Sequence, residues 1–476
     1  MARRSALAST AATRRGAPTR ALIAALAVLG LLLAGCSSSV AAKPEPSGTA
    51  GVPFVGCDAA ACSGTIDGAP YRIAMPTHWN GTLLLYSHGY EQPKGSDPGT
   101  VPSWDGAYRQ VAQPLLDQGY AIAGSGYKST GWAVSDGVQA AEQVYDFFSS
   151  NVAKPQRVYA WGDSLGGLIT EVLSEKHPQW LSGSAPLCGV LAGVVPNMDL
   201  ALDVSFAVKT LIYPALKLTG FRSADEAAAQ LKAATDAIVS TGLSGDTSKI
   251  AYIAAIVDGP PKTANQSGDS VLSKTMAYGE GIVTALNFST IGRFDVERRF
   301  GGNISGNLRT NYASRVSPAA AAEVTSQGGS VAQYNAKMAA GSRVAADPAA
   351  VAKAVATGGD PTGDVIVPTI TLHTQYDSVV IAQNESYFRD RYQRKPRTGG
   401  LVQFYTSPPT TYPATGAPYG AGHCNFTVGS RVGMIKLLDQ WVRTGQRPTA
   451  AQARAAFGVD SGLNPGFTPT DWPAQR

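Results

Sequence analysis

One serine in this chain has the setting that nucleophilic attack on a carbonyl carbon requires. Ser164 stands in Gly162-Asp163-Ser164-Leu165-Gly166. In this Gly-x-Ser-x-Gly pattern the serine sits on a sharp, strained turn between a strand and a helix. Glycines two residues to either side let neighbouring backbone come close there. The pattern by itself is common, and its plain alternative is an ordinary serine in a strand-to-helix turn. A hydroxyl is a weak nucleophile at neutral pH, so the chain must also supply a base, an acid to orient it, and donors for the oxyanion.

The chain has five histidines, so elimination is informative. His78 and His88 precede Ser164, His177 lies just before Pro178, and His373 falls at a strand terminus ahead of Asp377. His423 alone follows the acid candidate, on the glycine-flanked loop Tyr419-Gly420-Ala421-Gly422-His423-Cys424. That acid candidate, Asp377, follows the apolar run Val365-Ile366-Val367-Pro368-Thr369-Ile370-Thr371-Leu372-His373. Its competitors Asp360 and Asp364 come before the run, at the wrong end for a site at the strands' C-terminal edge. They read as turn and capping residues.

Elements able to hold these groups follow from periodicity. Val158 to Trp161 reads as a buried strand. Leu165 to Lys176 has helical spacing, with Leu168, Ile169, Val172 and Leu173 as its apolar stripe. Tyr71–Met75 and Thr82–Ser87 read as strands, and the unbroken apolar Leu83-Leu84-Leu85 suggests burial on both faces, as in a parallel sheet. Helical Ala107–Gln118, strand Tyr120–Gly124, helical Asp136–Phe148 and strand Leu181–Cys188 continue the alternation. This predicts an α/β fold with a mostly parallel, doubly wound sheet. Between residues 191 and 360 strand signals thin, and Ala-rich helical stretches such as Ser223–Ser240 and Ser317–Ala356 dominate. Gly279–Ser289 and Gly301–Tyr312 read as hinges or pocket walls. Leu401–Tyr405 is the last expected core strand, and a helix over Arg431–Val442 closes the fold.

The strand at Thr82–Ser87 runs into His88-Gly89-Tyr90. With that His-Gly, the elbow at Ser164 and the order Ser164, Asp377, His423, the chain resembles the α/β-hydrolase superfamily. The resemblance implies a core over residues 52–190 and 361–476, with a helical cap at 191–360 inserted between core strands. It makes Asp377 the acid and His88 a residue that shapes its turn, and it assigns the oxyanion to the backbone N–H groups of Tyr90 and Leu165. The implied activity is that of a serine esterase or lipase-like enzyme acting through an acyl-enzyme on Ser164. Two other readings stand beside it, one within the enzymes and one outside them. One is a serine aminopeptidase of the proline-iminopeptidase type, which needs cap carboxylates aimed at a substrate amine. The other is an inactive binding lipoprotein. No metal-ligand spacing or dinucleotide fingerprint is present, so no cofactor is expected.

Two further strings bear on the family. Gly162-Asp163-Ser164-Leu165 spells the motif of the GDSL esterases, but here it lies mid-chain, and Gly420 stands three before His423 where those enzymes carry aspartate. Cys424 beside His423 is similar to feruloyl esterases and tannases, in which a cysteine pair ties nucleophile to histidine. This chain departs from them, because Asp163 rather than cysteine precedes Ser164.

The N-terminus reads as a targeting segment. Arg3, Arg4, Arg14, Arg15 and Arg20 precede the apolar run Ala21–Leu33, which is short for a membrane span, and Leu33-Ala34-Gly35-Cys36 resembles a bacterial lipobox. Residues 1–35 are the expected signal peptide, Cys36 the lipidated residue, and 36–51 a flexible tether. The expected location is the outer face of the cell membrane. Loss of residues 1–35 removes five arginines and no acid, so the formal charge falls from +5 to zero. The basicity belongs to the leader and gives no reason to expect nucleic acid as a partner. Four cysteines remain in an oxidising compartment: Cys57, Cys62, Cys188 and Cys424. They allow three pairings, of which 57–62 with 188–424 is the favoured one.

Overall fold

A computed structural model describes residues 61–106, 108–259, 271–395, 400–409 and 419–473. Cys36 and Cys57, with the expected leader and tether, lie outside the described residues, so the 57–62 pairing does too.

One eight-stranded sheet runs through the core. Its strands are β1 (Ala61–Ile66), β2 (Ala69–Ala74), β3 (Thr82–Ser87), β4 (Ala121–Ser125), β5 (Arg157–Asp163), β6 (Gly183–Leu187), β7 (Pro368–Thr374) and β8 (Gly400–Thr406). They lie in the order β1-β2-β4-β3-β5-β6-β7-β8. From β4 to β8 all neighbours are parallel, whereas β1 and β2 add an antiparallel edge. The central strand β3 has no exposed face: Leu83, Leu84 and Leu85 are all buried. One apolar cluster packs around Leu83 and Leu85 on one side of the sheet, and a second around Leu84, Tyr159 and Trp161 on the other. That double burial is why the run reads as unbroken rather than alternating.

Helices cover both faces. α1 (Arg109–Asp117) and α2 (Val134–Asn151) flank β4, and α3 (Leu165–Lys176) follows β5 directly. Between β6 and β7 lie the helices α4 (Val194–Leu211), α5 (Ala224–Leu243), α6 (Thr247–Ile256), α7 (Val271–Asn287), α8 (Arg293–Phe300), α9 (Pro318–Ser326), α10 (Val331–Ala340) and α11 (Pro348–Thr357). They have an apolar cluster of their own, around Leu202, Phe206, Tyr252, Leu286 and Met338. The Ala-rich stretch Ser317–Ala356 is three helices rather than one. Gly328 turns the chain at φ +82°, and Ser317, Ser330 and Asp347 each cap a new start with a side-chain oxygen. The Gly/Asn-rich Gly279–Ser289 is for the most part helix α7, continued by a π-helical turn at Phe288–Gly292. α12 (Gln383–Gln393), α13 (Val428–Thr444) and α14 (Ala450–Phe457) complete the core. Among the described residues no helix is long and apolar enough to cross a membrane.

Candidate active site

β5 ends at Asp163 and α3 begins at Leu165, leaving Ser164 alone to make the turn at φ 59°, ψ −120°. A non-glycine residue in this conformation is strained, and such strain persists only where the surroundings over-determine it. Those surroundings are tight backbone. A Cβ on Gly166 would come within 2.0 Å of the Ser87 carbonyl oxygen, and one on Gly162 within 2.4 Å of the same atom. Ser164 N–H donates to Leu187 O on β6 at 2.9 Å, which ties the turn to the next strand.

Beyond the end of β3, Gly89 lies against the elbow; its built Cβ would sit 3.4 Å from the Ser164 Cβ. Neither Tyr90 N–H nor Leu165 N–H donates to a backbone carbonyl among the described residues. His88 stacks on Tyr127 and bonds the Gly89 carbonyl at 2.7 Å. Burial pushes its pKa down, which suits a neutral ring that shapes the turn.

Asp377 follows β7 and is fully buried. Its Oδ1 accepts from Val379 N–H and Val380 N–H, each at 2.9 Å, and its Oδ2 accepts from His423 Nδ1 at 2.7 Å. The loop bearing His423 is joined to the acid's loop by Gly422 N–H to Tyr376 O and by Thr374 Oγ1 to Gly422 O, both 2.8 Å. Cys424 forms a disulfide with Cys188, which follows the end of β6. His423 Nε2 lies 3.4 Å from Cys424 Sγ, and among the described residues no hydrogen bond joins it to Ser164 Oγ.

Two supporting groups escaped the sequence reading. Asp163, read in the sequence only as part of the GDSL string, accepts from Arg431 Nη1 on α13 and from the Tyr86 hydroxyl on β3. The same Arg431 donates from Nη2 to the Cys424 carbonyl at 3.0 Å. Burial works against the guanidinium's charge, but Asp163 and Tyr86 more than offset it and raise its pKa. A buried acid next to the serine in an apolar strand was the available signal, since such a group needs a cation. The second is His373, fully buried behind the acid, with Nε2 2.7 Å from Val380 O and 3.7 Å from Asp377 Oδ2. Its Nδ1 lies 3.3 Å from Glu385 Oε1. Burial alone would lower the imidazole pKa; Glu385, Asp377 and the Val380 carbonyl together hold it above its usual value.

A cavity opens from Ser164 into the inserted helices, with about 880 Å³ of space between atoms, its mouth included. Tyr90, Ser164 and Leu165 line its core side, and Ala201, Ile282 and Phe288 are among the residues on the helical side.

Strand order, an elbow after the fifth strand, an acid after the seventh and a histidine after the eighth converge on one answer. This is the α/β-hydrolase fold. The assignment rests on the chain's own sheet and elbow. No family model matches the sequence. Among curated proteins, an o-phthalyl amidase from Xanthobacter agilis is 26% identical over 149 residues, a match spanning 31% of this chain and 30% of that protein. Among solved structures, a bacterial membrane phospholipase A superposes with a TM-score of 0.35 at 14% identity, over 80% of this chain and 86% of the other. Est1E from Butyrivibrio proteoclasticus gives 0.31 at 11% identity, over 81% and 97%. A proline iminopeptidase from Mycobacterium smegmatis gives 0.35 at 14% identity, over 81% and 100%.

Proposed function

We propose that the protein is a serine hydrolase that cleaves carboxylic esters. Ser164 attacks the carbonyl carbon, His423 takes the hydroxyl proton, and Asp377 holds the imidazole so that Nε2 is free to accept it. The oxyanion is bound by Tyr90 N–H and Leu165 N–H, donors that no backbone carbonyl among the described residues engages. His423 then gives its proton to the departing alkoxide, and water releases the acyl group by the same steps in reverse. The Ser164–His423 bond is made when an ester fills the cavity; such bonds commonly tighten only in the complex.

The observation that carries this reading is the 2.7 Å His423–Asp377 bond at the sheet edge where Ser164 stands strained on its elbow. The aminopeptidase reading needs a carboxylate in the pocket to meet an amine. Among the described residues no acidic side chain lines the cavity, which favours the ester. The amidase likeness makes amides the comparison to run. A fluorophosphonate should label the wild-type protein and not Ser164→Ala, and p-nitrophenyl esters should be cleaved in preference to aminoacyl p-nitroanilides. Unlabelled wild-type protein would favour the inactive-binding reading, and faster anilide cleavage the peptidase one.

Export and a lipid on Cys36 belong to the same proposal. They rest on the leader's arginines, its short apolar run and Leu33-Ala34-Gly35-Cys36. Metabolic labelling with a fatty acid should mark the protein and be lost in Cys36→Ala.

A further inference from the structure

The cavity has two properties from which the substrate's chemistry can be argued. First, none of its lining side chains among the described residues carries a charge. Its polar members are largely engaged within the protein. Asn197 bonds Gly193 O and Asn384 Oδ1, Trp132 Nε1 bonds Gly358 O, and Tyr278 OH bonds Glu323. Apart from Ser164, that leaves the uncharged hydroxyls of Tyr90 and Ser378, which are buried without a hydrogen-bond partner among the described residues. A charged group placed here would lose its water and gain no counter-ion, a cost that apolar contacts do not offset.

Second, the cavity is lined by the serine and by the residues assigned to the oxyanion, but not by His423. The histidine side chain is 24% exposed. In ester cleavage the alkoxide leaves toward the group that protonates it. The leaving alcohol therefore lies on the His423 side, and the space running from Ser164 between α4, α6 and α7 is on the acyl side. Small residues keep that space open: Ala201 on α4, Ala254 on α6, and Gly281 and Ala285 on α7.

Resting on the ester-hydrolase reading above, we propose that the inserted helices bind the acyl half of an uncharged ester, as an extended apolar chain, while the alcohol half stays outside and is only loosely selected. Each methylene added within the cavity should raise kcat/KM by up to about fourfold, until the chain reaches the end wall.

The test has three arms, run on the full chain. With p-nitrophenyl acetate, butyrate, hexanoate and octanoate, kcat/KM should climb by about tenfold or more. With ethyl, butyl and octyl esters of one acid it should stay within about threefold, since the alcohol meets no enclosed wall among the described residues. An acyl chain ending in a carboxylate should be cleaved about 100-fold more slowly than its neutral isostere. Ala201→Phe should lower the octanoate-to-acetate ratio by about tenfold, and Ala285→Phe provides the same readout if the first variant does not fold. A flat acyl series, a steeper alcohol series than acyl series, or equal rates for charged and neutral chains would each overturn the proposal. Fluorophosphonate labelling of Ser164 separates the two failures. Labelled protein with no acyl preference refutes only this inference, while unlabelled protein refutes the hydrolase reading beneath it.

Discussion

The elbow that carries Ser164 and the loop that carries His423 are built on opposite principles. The elbow is made by exclusion: β3 and α3 come so close that no side chain fits at Gly162 or Gly166, and Ser164 has nowhere else to go. The histidine loop is made by attachment. Gly420, Gly422 and Cys424 all have positive φ and the stretch has no regular structure, so its shape comes from ties to other elements. Those ties are the disulfide to Cys188, the Arg431 bond to the Cys424 carbonyl, and the hydrogen bonds to Tyr376 and Thr374. Exclusion fails all at once, because backbone cannot yield locally. Attachment fails by degrees, because each tie can be cut alone.

This contrast ranks the expected damage. Gly166→Val should be the most severe, costing about 4 kcal/mol or more or preventing folding, since its Cβ meets the backbone of β3. Denaturant unfolding would show it, and near-wild-type stability would break the exclusion account. Replacing both Cys188 and Cys424 by serine should cost about 2–5 kcal/mol of stability. Turnover of the proposed ester substrates should also fall by about tenfold to 100-fold, because the proposed base, His423, loses its alignment when displaced by even an ångström. Unchanged turnover in the folded variant would show that the remaining ties suffice.

Arg431→Met should come next, at about 1–3 kcal/mol, because it leaves the Asp163 carboxylate largely buried without its cation. Adding Asp163→Asn should restore part of that loss, and an additive double variant would argue against the pairing. The smallest effect is a pH effect. His373 has a raised pKa in the fold, so its contribution to stability is fully present below its unfolded pKa of about 6.5 and is lost as pH rises through the folded value. His373→Gln should flatten the fall in melting temperature as pH rises above about 6.5, and identical slopes would contradict the assignment.

Much of this was legible in the sequence, for identifiable reasons. Ser164 stood in a local pattern, β3 announced its double burial by an unbroken apolar run, and Asp377 and His423 were singled out by the order that the resemblance to α/β-hydrolases implies. Cys188 and Cys424, favoured as partners, are joined. What stayed hidden depends on contacts between distant residues. Asp163 and Arg431 are 268 positions apart, and nothing local to either says they meet. The wall formed by α7 was obscured by Gly279 and Gly281, which lower helix propensity. Gly281 is accommodated because Ser378 packs where its side chain would be. β1 lacks any alternation, and only its pairing with β2 makes it a strand.

The disulfide between Cys188 and Cys424 has a consequence for timing. Reductants in the cytosol keep such thiols open, so a chain folded there would carry its strained serine beside a histidine loop short of its one covalent tie. Oxidation outside the cell would complete the attachment. On the proposed export and the proposed hydrolase function, full competence would then be acquired in transit, and esters inside the cell would meet only the unfinished form.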